Sequence, residues 1–190
     1  DAKVVDKDVK LPEERQTSAE TLEADTLEVL ADLNHASQKG LQTIFDSSVG
    51  RSTVNHPLGG RYQITPTEAS VQKLPVQHGV TTTASVMAQG FNPYVAEWSP
   101  YHGAAYAVIE ATARLVAAGA NWSKARFSYQ EYFERMDKQA ERFGQPVSAL
   151  LGSIEAQIQL GLPSIGGKDS MSGTFEELTV PPTLVAFGVT

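Results

Sequence analysis

The chain has 190 residues, 41% hydrophobic and 19% charged, with a formal charge of −7 and no cysteine. That length and apolar fraction suit one globular domain, or one domain with a tail, and can bury a real core. The fifteen Lys and Arg are scattered, which excludes the concentrated basic surface that a nucleic-acid partner needs, and the missing cysteines exclude disulfides, thiolate nucleophiles and Cys-ligated zinc. There is no apolar run long enough to span a membrane and no basic-then-apolar signal at the N-terminus, so a cytoplasmic setting is expected. The chain opens at Asp1 without methionine, which reads as trimming from something larger.

Residues 1–16 mix charge with a proline and show no sustained period, so they read as a linker or edge segment, with the folded domain expected over 17–190. Thr17 and Glu20 form a Thr-x-x-Glu start for a helix carrying Leu22, Leu27, Leu30 and Leu33. A second short helix is expected over Ser37–Phe45. Glycines and prolines punctuate short extended pieces such as Arg61–Thr65, and Val80–Ala88 has a β-branched strand composition. The clearest helix is His102–Gly119, alanine-rich and apolar on several sides.

Lys124–Ser128 reads as a strand, and Ser128 with Glu131 as the start of a helix over Tyr129–Phe143, with Tyr129, Tyr132 and Phe133 packing from one helical face. A further helix follows Pro146 to about Leu160, with Val147, Leu150, Leu151, Ile154 and Ile158 on its inner face, and stops at Gly161 and Pro163. A glycine-bearing loop, Gly166–Gly173, and a last strand, Thr183–Val189, complete the chain. Alternating strands and helices predict an α+β sandwich: two layers, with a mixed sheet that includes Val80–Ala88 and Thr183–Val189 packed on the helices at His102–Gly119 and Val147–Leu160.

The sharpest local feature is Gly166-Gly167-Lys168-Asp169-Ser170. Paired glycines let backbone N–H groups approach a phosphate, lysine supplies charge, and aspartate can hold Mg²⁺. The spacing is not that of the P-loop, and on these five residues alone a tight surface turn is the favoured reading. Glu110 sits in the middle of the alanine-rich helix, where a carboxylate needs a cation or a donor. Arg114, one turn on, supplies an ordinary i,i+4 partner, and a metal-ligand role is the alternative. Glu68 and Asp46 are weaker candidates that also suit caps or turns. His35, His56, His78 and His102 are too widely spaced for a zinc site.

Taken together, the segments FDSSVG (45–50), GGRYQITPTEAS (59–70), GFNPYVAEWSPYHGAAYAVIEA (90–111), FSYQEYFER (127–135) and LPSIGGKDSMSGTF (162–175) resemble phosphoribosylformylglycinamidine synthases. The likeness spans about Ala31 to Val189. It is to the second of the two aminoimidazole-ribonucleotide-synthetase-like halves of the large form, and within that half to the N-terminal domain.

The resemblance implies an ATP-dependent carbon–nitrogen ligase of purine biosynthesis, an amidotransferase in which glutamine supplies ammonia and formylglycinamide ribonucleotide becomes formylglycinamidine ribonucleotide. It also implies that glutamine hydrolysis uses a cysteine elsewhere in the enzyme, so this chain is expected to be inactive alone and to work with the remaining domains of the synthase. An ATP or ADP site with Mg²⁺ is implied at Gly166, Gly167, Lys168, Asp169 and Ser170, with Glu110, Asp169 and, less directly, Glu68 as metal ligands. The family's asparagine beyond the helix glutamate corresponds here to Arg114, which implies either a direct phosphate contact or a neutralised carboxylate. Self-association through an exposed apolar strip near Val80–Ala88 is expected. The alternatives are an assembly module with a lost nucleotide site and a free-standing synthetase-like protein that dimerises into a complete site.

Overall fold

The computed structural model describes residues 18–37, 39–45 and 52–190. The expected linker at 1–16, Thr17 of the capping pair and Asp46 lie outside the described residues. In chain order the elements are α1 (Leu22–Ala31), α2 (Lys39–Phe45), β1 (Leu58–Gly59), β2 (Thr65–Pro66), β3 (Ala69–Lys73), β4 (Ala84–Gly90), α3 (Pro93–Trp98), α4 (Pro100–Ala117), β5 (Arg126–Tyr132), α5 (Ala140–Leu160), β6 (Ser164–Ser170), β7 (Thr174–Phe175), β8 (Leu178–Thr179) and β9 (Thr183–Val189). Five strands form one sheet in the order β3-β4-β9-β5-β6. Its β5–β6 pair is parallel and its other pairs are antiparallel. The expected two-layer α+β architecture with a mixed sheet is therefore present.

Local chemistry explains how the helical layer forms. Asn92 accepts hydrogen bonds from the Tyr94 and Val95 amides to cap α3, and Ser99 accepts from His102 to cap α4, with Pro100 in the first turn. Ala104, Ala107, Val108, Ala111 and Leu115 of α4 meet Ala88, Phe127, Tyr129, Leu184 and Ala186 of the sheet in one core. Small residues set how closely these layers approach. A Cβ at Gly90 would run into the Ala107 carbonyl oxygen and lie 2.7 Å from the Ala111 nitrogen, and one at Gly152 of α5 would run into the Tyr101 carbonyl of α4. Helix α5 ends where Gly161 takes the left-handed conformation, φ 67°.

Several expectations are corrected. The segment expected as helix Tyr129–Phe143 begins as strand β5, where Phe127, Tyr129 and Glu131 alternate inward; tertiary pairing with β9 and β6 overrides the Ser-x-x-Glu signal. Tyr129 is buried, whereas Tyr132 points to the other face of the sheet. Helix α5 starts at Ala140, before Pro146, which it accommodates as a buried residue. Its inner face is the small one, Ser148, Ala149, Gly152, Ser153 and Ala156, while Leu150, Leu151, Ile154 and Ile158, expected in the core, are exposed. The expected loop from Gly166 is strand β6 as far as Ser170. The strand expected at Val80–Ala88 lies at Ala84–Gly90, and Arg61–Thr65 is mostly the turn between β1 and β2. Helix His102–Gly119 is α4, starting before His102 at Pro100, and Thr183–Val189 is strand β9 with those bounds.

Candidate functional site

The residues singled out from the sequence fall into two groups toward opposite edges of the sheet. The first is built on α4. The Arg114 guanidinium lies between two carboxylates: Nε is 3.1 Å from Glu68 Oε2 and Nη2 is 2.9 Å from Glu110 Oε1. Nη1 donates to the Gln89 carbonyl at 2.8 Å. The second oxygen of Glu110 accepts the Phe91 amide at 2.8 Å. One side chain thus ties the residue before β3, the end of β4 and helix α4 together. The i,i+4 pairing expected of Glu110 and Arg114 is present.

Beside this cluster a cleft of about 570 Å³ opens between the β1–β2 region and the sheet, lined among others by Asn55, Thr67, Ser70, Gln72, Met87 and Phe187. Its walls are uncharged apart from Glu68 and Arg114 at one side.

The second group lies on β6, the far edge strand. Asp169 is in register with Glu131 of β5, and Gly167 with Tyr129, so these four share the face that meets the helices. Lys168 and Ser170 pair with Gln130 and Tyr132 on the other face. Gly166, Gly167, Lys168 and Asp169 are all exposed. A Cβ at Gly167 would lie 2.5 Å from the Tyr129 carbonyl oxygen, which explains a glycine there without reference to a ligand. Glu131 is a site residue that sequence reasoning passed over. Burial, reinforced by the Asp169 carboxylate, raises its pKa to about 7. Tyr129 is raised further above its ordinary range, first by burial and then by Glu131, and its hydroxyl is buried without a hydrogen-bond partner. The signal available in the sequence was the inward alternation Phe127, Tyr129, Glu131.

The sheet keeps the two groups apart. Strands are spaced about 4.8 Å, so β6 lies about 14 Å from β4 and about 19 Å from β3. Asp169 thus lies toward the opposite edge of the sheet from Glu68 and from the end of β4 that Glu110 contacts. Mg²⁺ needs hard oxygen ligands in near-octahedral array at about 2.1 Å, and the space between Glu68 and Glu110 is spanned by a guanidinium that offers only donors. Among the described residues, no group of three or more His, Cys, Asp or Glu side chains is placed to hold a metal ion. His102 is a helix-cap residue, with Nδ1 2.9 Å from Ser99 Oγ and its ring stacked on Trp98.

The sheet order, with its parallel β5–β6 pair and one helical layer, has counterparts among solved structures. PurLQS from Thermotoga maritima superposes with a TM-score of 0.64 at 19% identity, over 81% of this chain and 23% of that one. PurL of the same organism complexed with AMPPCP gives 0.63 at 18%, over 84% of this chain and 24% of that one, and its complex with FGAR gives 0.58 at 20%, over 74% and 20%. The fold is that of one part of phosphoribosylformylglycinamidine synthase. This chain spans about a quarter of the length of the synthase chains it matches. No family model matches it, and neither does any curated protein sequence. Within this chain Glu68, Glu110 and Arg114 lie toward one edge of the sheet and Gly166–Ser170 on the other. No described helix is long and apolar enough to cross a membrane.

Proposed function

We propose that this chain acts as a domain of a phosphoribosylformylglycinamidine synthase, contributing to ATP-dependent amidine formation in purine biosynthesis only together with the rest of that enzyme. The observation that carries this reading is the coincidence of the synthase fold over four-fifths of the chain with the ordered synthase-like segments from FDSSVG to LPSIGGKDSMSGTF. Solved PurL structures include complexes with ATP, ADP and AMPPCP. For this chain the nucleotide contact is assigned to the β6 edge. There Gly166 and Gly167 leave backbone N–H groups approachable, Lys168 supplies a cation, Ser170 a hydroxyl and Asp169 a carboxylate for a nucleotide-borne Mg²⁺. Partner domains are assigned to the sheet face opposite the helices, where Met87, Tyr132 and Val189 are about 40% exposed.

Purified chain supplied with formylglycinamide ribonucleotide, ATP and either glutamine or ammonia is expected to give no product. Turnover above a no-protein control would overturn the reading of a dependent domain. The geometry at Arg114 favours one second reading, an assembly module without a nucleotide site. Millimolar ADP with Mg²⁺ separates the two: a small rise in melting temperature by mass action that Lys168→Ala removes supports nucleotide contact, and no rise leaves the assembly module.

A further inference from the structure

The Glu68–Arg114–Glu110 cluster has a property that neither the synthase assignment nor the nucleotide edge uses. Three hard oxygen sources converge there: Glu68 Oε2, Glu110 Oε1 and the Gln89 carbonyl, at 3.1, 2.9 and 2.8 Å from three different nitrogens of one guanidinium. They come from three separate stretches of chain: the connection before β3, strand β4 and helix α4. Carboxylates with a backbone carbonyl are the donor set that Mg²⁺ and Mn²⁺ take, and here the cation at their centre is covalently part of α4. The Arg114 side chain is only 24% exposed, Glu110 is 36% exposed and Glu68 62%. With two carboxylates and one guanidinium, the cluster as a whole carries a single negative charge.

We propose that Arg114 is this domain's resident cation: it occupies the position a divalent ion would hold between Glu68 and Glu110, cross-links the segment before β3 to β4 and α4 in its place, and makes this corner independent of metal. The relation is reversible. Taking the guanidinium away leaves two carboxylates and a carbonyl facing one another without a counter-charge, and Arg114→Asn adds a further oxygen ligand at the vacated position. The assignment holds whether or not the chain acts in a synthase, because it rests on this cluster alone.

The test uses Mn²⁺ without nucleotide, followed by its electron-spin resonance signal and by thermal melting in EDTA or MnCl₂ at matched ionic strength. Wild-type chain is expected to bind no Mn²⁺ that Glu110→Gln abolishes, and to melt at the same temperature in both buffers. Arg114→Asn is expected to melt lower than wild type in EDTA and to recover by about 5–11 °C when Mn²⁺ stands about a hundredfold above its dissociation constant. Adding Glu110→Gln to that variant should remove the recovery. If Arg114→Asn does not fold in EDTA, refolding in Mn²⁺ takes the place of the melt, and rescue supports the proposal. Mn²⁺ bound by wild type through Glu110, or an Arg114→Asn chain that Mn²⁺ neither binds nor rescues, overturns it.

Discussion

Gly152→Ala isolates the contact that holds the two long helices together. Inside an exposed helix this substitution stabilises by about 1 kcal/mol, because alanine restricts the unfolded chain and suits the helix. At Gly152 the added methyl would meet backbone rather than a yielding side chain, with the Tyr101 carbonyl carbon at 2.7 Å and its Cα at 3.0 Å. A rotamer change cannot relieve that contact, so α4 and α5 must separate, and overpacking of this kind costs about 3 kcal/mol at the upper end of its usual range. The net loss is about 2 kcal/mol, equivalent to about 4–8 °C in melting temperature for a chain of this size. Circular-dichroism melts of wild type, Gly152→Ala and Gly40→Ala measure it. A Cβ at Gly40 in α2 would meet no atom within 4 Å, so the same chemical change there should leave the melt unchanged or slightly raised. A Gly152→Ala chain that melts at or above wild type would refute the close crossing of α4 and α5.

Glu131 gives a pH signature. Its folded-state pKa is raised to about 7 from an ordinary 4.5, so folding binds a proton between those values. Its share of stability is full below about pH 4.5 and is lost as pH rises through 7. Urea melts at pH 4.5 and pH 8 should show Glu131→Gln losing less stability across that interval than wild type, and equal losses would remove Glu131 from the account. Asp169→Asn withdraws one of the causes of the shift, so the upper end of that pH window should move down in that variant, and an unmoved window would remove Asp169 as a cause. The exposed side chains on the open sheet face should drive self-association, read as a concentration-dependent sedimentation coefficient. A strictly monomeric profile at high concentration counts against that face as a partner surface.

What the sequence disclosed, and what it hid, follows from where the physical signal resides. Helix α4 and strand β9 were legible because composition and period agree: Ala104, Ala107, Val108 and Ala111 recur at helical spacing, and Thr183–Val189 is a short apolar run with no competing cap. Strand β5 was hidden because Ser128 and Glu131 imitate a helix start, and only pairing with β9 on one side and β6 on the other decides between the periods. Helix α5 was found but turned the wrong way. Hydrophobicity points to Leu151, Ile154 and Ile158 as the inner face, whereas the close approach to α4 selects Ala149, Gly152 and Ser153, and size complementarity of that kind is invisible without the partner. At the candidate site, the Glu110–Arg114 pair was legible from its i,i+4 spacing. The separation of Asp169 from Glu110 was not, since it depends on strand order, which no local motif encodes.

That strand order has a consequence for how the domain is made. Strand β9, which follows all the others in the chain, lies in the middle of the sheet, hydrogen-bonded to β4 on one side and β5 on the other. Until it is in place, the β3–β4 hairpin and the β5–α5–β6 unit share no strand pairing. A ribosome-bound chain must hold these two parts in waiting, each with an unpaired edge that invites association with other chains. The closing event joins residues that are distant in sequence, so it is entropically costly and slow beside the local steps. Chaperone demand from this domain should therefore peak just before residues 183–189 clear the exit tunnel.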